Sequence, residues 1–315
     1  MASHRPLFAG SVLLALLAAA GCSAAGTSAV TPAAPQAFAR SHGRPIAALG
    51  KNYVYVADTY ANTVYVFPAR PAGANPVGSI TSGLSAPQGL AIDAAGNLYV
   101  GNPGSATVTI YPPGGTSPSL TLKQDLTVPA AVAVDANGNV WVSNEEGSNL
   151  GSLVEFPKGS TTPSTVINGL NPLGVAVDSK GNLYVENENA SASFVSVYPP
   201  GATKPSKKFG QGNLISPEGI TIGPTGDVYV CDFYYAELFI FKAKSYKLRK
   251  KVFVPEDGQV PTLSATGRLY MGTGSQAVVS EIGRDGFGKV NNQWYFGPLL
   301  SSFGVAADPA VAPGP

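Results

Sequence analysis

Histidine is almost missing from this chain, occurring only at His4 and His42, ahead of any strand pattern. Everything downstream therefore lacks the side chain best suited to proton transfer near neutral pH. A Ser-His-Asp arrangement or a His-rich zinc site cannot be assembled there. Cysteine is equally scarce, at Cys22 and Cys231, which excludes a disulfide framework and a Cys cluster. Charge is thin as well. Asp, Glu, Lys and Arg make up 12% of the 315 residues and the net charge is +1, so no global field draws in nucleic acid and none is expected as a partner.

What the chain has in quantity is Gly (37) and Pro (27), set among Val, Tyr, Phe and Leu in regular order. That combination describes many short strands joined by turns. The N-terminus stands apart from it. "MASHRPLFAGSVLLALLAAAGCS" places one Arg before an apolar run of roughly 14 residues, too short to span a bilayer comfortably as a mature helix. Ala19 to Cys22 resembles a bacterial lipobox, with Ala19 where Leu is usual. The expectation is a lipoprotein signal peptide over residues 1–21, lipidation of Cys22, and export to the cell envelope with the membrane held through the lipid on the extracytoplasmic side. Residues 22–45, rich in Ala, Ser, Thr and Pro, read as a flexible tether. With Cys22 lipidated no disulfide is expected, and Cys231 is expected to be a small buried hydrophobe in a strand.

A repeat organises the rest. The aromatic of a Gly-x-apolar-aromatic-Val element, loosest in its first and last copies, falls at Tyr55, Tyr99, Trp141, Tyr184, Tyr229 and Tyr270. Ahead of it an Asp recurs at Asp93, Asp135 and Asp178, gives way to Gly223 and Ser264, and returns at Asp308. Each unit reads as four strands. In the copy from Pro87 to Leu126 these are "GLAID", "LYVGN", "TVTIYP" and "SLTLKQDL", and a period of about 43 residues with four strands is the signature of a β-propeller blade. The first unit begins with a second strand, "KNYVYVADTY", while "FGVAADP" near the C-terminus is a first strand with nothing after it. Pairing of the two completes one blade and removes exposed edges at the seam. The expected fold is all-β, a six-bladed propeller of four-stranded antiparallel blades over residues 46–309, closed by its N- and C-terminal strands, with residues 310–315 a disordered tail.

The pattern P-x-G-[LVI]-A-[VI]-D-x-x-G-N-[LV]-[YW]-V-x-[ND] resembles the NHL-repeat propellers and their streptogramin-lyase-like and gluconolactonase-like neighbours. That resemblance implies architecture more than activity, since the fold hosts lyases, lactonases and binding modules alike.

Two rings of positions are expected around one mouth of the central channel. The residue after the Pro of P-x-G, or its equivalent, gives Gln88, Ala130, Leu173, Glu218, Gln259 and Phe303. The residue three past the aromatic gives Asp58, Asn102, Asn144, Asn187, Asp232 and Thr273. Oxygens converging on an axis suit a hard cation, so Ca²⁺ is the cofactor such a ring could take, with Glu218 and Asp232 as ligands. The plainer use of the second ring is an Asx turn in each blade, and no cofactor is expected. Gluconolactonase-like propellers hold a divalent ion with Glu, Asn and Asp at the first ring, where this chain offers only Glu218; streptogramin-lyase-like and amidating-lyase propellers rely on His. Catalytic residues are therefore not assigned, and the enzyme reading, a metal-dependent lyase or lactonase, is the alternative. The favoured reading is a monomeric, non-catalytic module that binds a small molecule, carbohydrate or protein through Gln88, Glu218, Gln259, Asp58, Asn102, Asn144, Asn187, Asp232, Tyr234 and Tyr235. The two tyrosines belong to "CDFYYAEL", where they either stack on a ligand or pack against the adjacent blade. The basic run "KAKSYKLRKKVF" is expected on an outermost strand, where Lys discourages edge pairing.

Overall fold

The short apolar runs between Gly- and Pro-rich turns become strands. A computed structural model of the chain describes residues 53–68, 76–146, 150–189, 192–254, 258–263, 269–273, 278–282, 290–295 and 302–308, all within one unit, residues 40–315. The leader, the tether, Cys22 and the tail over 310–315 lie outside the described residues, as do the side chains of Gln259, Thr273 and Phe303. In chain order the strands are β1 (Tyr53–Asp58), β2 (Thr63–Pro68) and β3 (Gly78–Ile80); β4 (Leu90–Ile92), β5 (Leu98–Asn102), β6 (Thr107–Tyr111) and β7 (Leu120–Leu122); β8 (Pro129–Val134), β9 (Val140–Asn144), β10 (Gly151–Phe156) and β11 (Thr165–Leu170); β12 (Pro172–Val177), β13 (Leu183–Asn187), β14 (Ser193–Tyr198) and β15 (Lys207–Leu214); β16 (Pro217–Ile222), β17 (Val228–Asp232), β18 (Glu237–Phe241) and β19 (Leu248–Phe253); β20 (Gly258–Leu263), β21 (Leu269–Thr273), β22 (Val278–Ile282) and β23 (Val290–Tyr295); and β24 (Ser302–Asp308).

From β4 to β23 every four consecutive strands form one antiparallel sheet, and β24 joins the first three in the order β24-β1-β2-β3, giving six four-stranded sheets among the described residues. Tyr53 lies opposite Asp308 and Val56 opposite Val305 in the β1–β24 pair. First strands touch one another in the succession β4, β8, β12, β16, β20, β24, and β24 touches β4. The architecture is an all-β propeller of four-stranded antiparallel blades. Among the described residues no helix is long and apolar enough to cross a membrane.

The core is divided among the seams between neighbouring blades. Successive residues of a strand face opposite sides of its sheet, so each second strand feeds two seams. Tyr99 packs with Val132, Val142 and Phe156 of the following blade, while Val100 packs with Val64, Val66 and Ile80 of the preceding one. The repeat aromatics all turn the same way: Trp141 meets Val175 and Tyr198, Tyr184 meets Ile220 and Phe239, and Tyr270 meets Val54 and Phe67. Burial on both faces is why second strands such as "LYVGN" are buried throughout. First strands approach so closely that a Cβ on Gly89 would lie 2.5 Å from the Ala130 carbonyl, which accounts for the Gly of P-x-G.

Candidate functional site

Second strands end, and first strands begin, on one face of the ring. Hydrogen bonds show the two meeting there: the Asn102 Oδ1 accepts from the Ser85 N–H (3.1 Å), the Asn144 Oδ1 from the Thr127 and Val128 N–H groups (both 2.8 Å), and the Asp232 Oδ2 from those of Ile215 (2.7 Å) and Ser216 (3.0 Å). In each case the side chain at the end of a second strand ties down the connector that enters its own blade. The Asp58 Oδ1 accepts from the Ala61 N–H (2.9 Å), and the Asn187 Nδ2 donates to the Val185 carbonyl (3.0 Å) and the Ser196 Oγ (3.3 Å). All five residues are buried. Their polar atoms are engaged by the scaffold, as an Asx role demands. On the opposite face Asp93, Asp135 and Asp178 close the turns between first and second strands: the Asp178 Oδ1 accepts from the Lys180 and Asn182 N–H groups, and its Oδ2 from the Asn182 Nδ2 and the Tyr184 hydroxyl.

Gln88, Ala130, Leu173 and Glu218 are half-buried at the starts of first strands. Around them the loops of this face expose Tyr60 (65%) and Tyr234 (59%), which hold equivalent places two residues past Asp58 and Asp232. Tyr235 is turned outward along its own blade, 5.9 Å from the Phe239 ring with the Lys251 Nζ 5.1 Å above it. Tyr235 therefore packs on its own blade rather than against the adjacent one, whereas Tyr234 leans on it edge-on at 5.3 Å and keeps its outer side open. Glu145, Glu146, Glu188 and Glu218 share this face across three successive blades; burial and the Glu188 charge push the Glu145 carboxyl up. The turns of the other face carry Lys158, Lys180, Lys204, Lys242, Lys244 and Lys247. The mouth side thus gathers acids, while the reverse carries these lysines beside Asp93, Asp135, Asp178 and Asp227.

One residue escaped the sequence reading. The position two past the repeat aromatic points at the following blade's first strand, and it holds Ala57, Gly101, Ser143, Cys231 and Gly272 in five copies but Glu186 in the fourth. Small residues are needed where strands approach: a Cβ on Gly101 would lie 2.6 Å from the Pro129 carbonyl. Glu186 is fitted by local absence of side chains, its Oε2 occupying the place a Cβ on Gly174 would take. It is wholly buried, and neither oxygen makes a hydrogen bond. Burial, then the charges of Asp232 and Glu218, hold its carboxyl well above the usual range; the Gly174 and Gly219 N–H groups pull the other way without reaching hydrogen-bond geometry. Cys231 is buried and in no disulfide among the described residues, its thiol pushed well up by burial, then by the charges of Glu186, Glu218 and Asp232. Among the described residues no three His, Cys, Asp or Glu side chains are grouped closely enough to hold a metal ion.

No protein-family profile and no curated protein matches the chain. Solved structures do. A chain of the nidogen/laminin complex superposes with a TM-score of 0.70 at 18% identity, over 81% of this chain and 97% of that one. A protein of unknown function from Bacteroides caccae gives 0.62 at 14%, over 82% and 98%, and Kuenenia stuttgartiensis hydrazine synthase 0.61 at 14%, over 82% and 87%. At these identities the likeness is one of fold, and the fold it shows is the β-propeller.

Proposed function

We propose that this protein is an exported, NHL-like propeller of six blades, closed by the β24–β1 pair and anchored through a lipid on Cys22, that binds a ligand or partner at its mouth face without catalysing a reaction. Six sheets, the circular succession of first strands and the repeat motif support the architecture. One observation carries the function: the polar side chains ringing the mouth are spent on holding connectors, which leaves binding to the loops above them. Those loops offer Tyr60 and Tyr234 as exposed rings and Glu145, Glu146 and Glu218 as acids, a set that suits a ligand carrying positive charge.

Poly-L-lysine is a direct probe. The wild-type chain is expected to bind it in a salt-sensitive way, and Glu145→Gln with Glu146→Gln and Glu218→Gln to weaken it by at least about tenfold, the scale of one to two lost charge contacts. Equal affinity of the two proteins would remove the mouth from the reading. The second reading, a metal-dependent lyase or lactonase, takes Glu218 and Asp232 as the candidate ligands, the two carboxylates whose charges act on the buried Glu186. One tightly held Ca²⁺ per chain that is lost on Glu218→Gln would establish that reading in place of the first.

A further inference from the structure

The chain holds two Asn-Gly pairs, Asn137-Gly138 and Asn168-Gly169. In such a pair the glycine's peptide nitrogen can attack the asparagine side-chain amide, because no Cβ stands in the way and the backbone can bend to bring the two together. What decides the rate is how firmly that nitrogen is held. Both asparagines are exposed, yet the fold treats the pairs differently. Asn137-Gly138 lies in the tight turn between β8 and β9. The Gly138 N–H donates to the Asp135 carbonyl (3.0 Å), the Asn137 N–H donates to the Asp135 Oδ1 (2.9 Å), and the Lys158 side chain lies 2.9 Å from where a Cβ on Gly138 would be. Asn168-Gly169 lies near the end of β11, the outermost strand of its sheet. Asn168 pairs with Ser152 and Leu170 with Gly151, so Gly169 is the extra residue of a bulge, with no β10 residue opposite it. Its φ is +77°, and nothing lies within 4 Å of where its Cβ would be. Ser152 also pairs with Asn144, which puts the bulge at the mouth end of the sheet.

We propose that Asn168-Gly169 is a site of covalent modification by water, a spontaneous deamidation that the fold permits here and suppresses at Asn137-Gly138. The Gly169 nitrogen bonds to the Asn168 Cγ while the Cγ–Nδ2 bond breaks, so ammonia leaves with the peptide proton and a succinimide ring remains. Water then opens the ring at one of its two carbonyls and leaves aspartate or isoaspartate at position 168. The net change exchanges ammonia for water, with no oxidation or reduction. Either product adds a negative charge to the side that already carries Glu145, Glu146 and Glu188. Isoaspartate also adds a carbon to the backbone just before Asn171, whose carbonyl accepts from the Glu188 N–H and whose Nδ2 donates to the Glu188 carbonyl (both 3.1 Å). Modification at the bulge therefore acts on the connector that holds a mouth loop.

The test is peptide mapping by mass spectrometry of the full chain held at mildly alkaline pH, once folded and once in urea. In the folded protein the mass gain of an amide becoming an acid is expected at position 168 at least about tenfold faster than at position 137, the rate factor of one hydrogen bond that must break before attack. In urea, where neither nitrogen is held, the two positions are expected to convert at similar rates. A smaller preference in the folded protein, or no conversion at position 168, would overturn the proposal. So would a tenfold preference that persists in urea, because the flanking sequence rather than the fold would then be its cause.

Discussion

Asn144 holds four partners at once: its oxygen takes the N–H groups of Thr127 and Val128, and its nitrogen gives to the Ser152 Oγ and the Asp125 carbonyl. Replacing it with Ala strands two backbone donors at the mouth. Asn144→Ala is expected to cost about 2–3 kcal/mol in urea unfolding, and Asn187→Ala, whose amide makes only side-chain-nitrogen bonds among the described contacts, about 1 kcal/mol. Positions such as Asn144 were legible because each lies at a fixed offset from its repeat aromatic. Their use was harder to read, since an Asx oxygen at a strand end can address the axis or its own connector, and only the connector's path decides. Glu186 was hidden for another reason. Period-two alternation assigns it a side of the sheet, but only comparison of all six copies shows that the side is one where every other blade keeps a small residue.

At the level of single strands, apolar patterning located each element and turn chemistry set its length. "SLTLKQDL" reads as a full fourth strand, yet β7 covers only Leu120–Leu122. Asp125 takes a φ of +57°, and the Leu126 N–H bonds back to the Lys123 carbonyl, so the chain has already turned toward the next blade. The basic run lies where expected, with β19 as the outermost strand of its sheet, paired only with β18. Arg249 binds Asp227 at 2.7 Å, and the Lys251 Nζ sits 4.5 Å from the Phe239 ring centroid, so part of this charge also covers aromatic surface. Next to it Phe253 is exposed. A long edge bearing an exposed aromatic invites pairing with a second molecule unless charge opposes it. Lys250→Val with Lys251→Val is expected to associate with rising concentration in sedimentation velocity while the wild type stays monomeric. A variant as monomeric as the wild type would show that these lysines do not guard the edge.

The propeller's stability is shared by its seams, each of which needs both neighbours. Val305 and Ala306 of β24 are buried, Val305 packing with Val54, Val56 and Tyr270, and Ala306 with Ala57 and Leu90. One strand therefore serves two seams as well as its own sheet. Deleting residues 302–315 is expected to abolish cooperative thermal unfolding and to cause aggregation, followed by calorimetry and light scattering; a single melting transition like that of the intact chain would show that β24 is dispensable. The repeat aromatics at a period of about 43 residues made a β-propeller of four-stranded blades readable before any coordinates. The gathering of Glu145, Glu146, Glu188 and Glu218 on the mouth side was not readable in the same way, because these acids are spread along the chain and come to one side only once strands are laid up and down.

The pairing of Tyr53 with Asp308 also fixes a direction. Both residues lie at the end of their strands opposite the mouth, on the side where Asp93, Asp135 and Asp178 close the turns. Holding the molecule by residues that precede Tyr53 would then leave Tyr60, Tyr234 and the acidic loops pointing outward, away from the point of attachment. The β1–β24 pair would then set which way the mouth loops face.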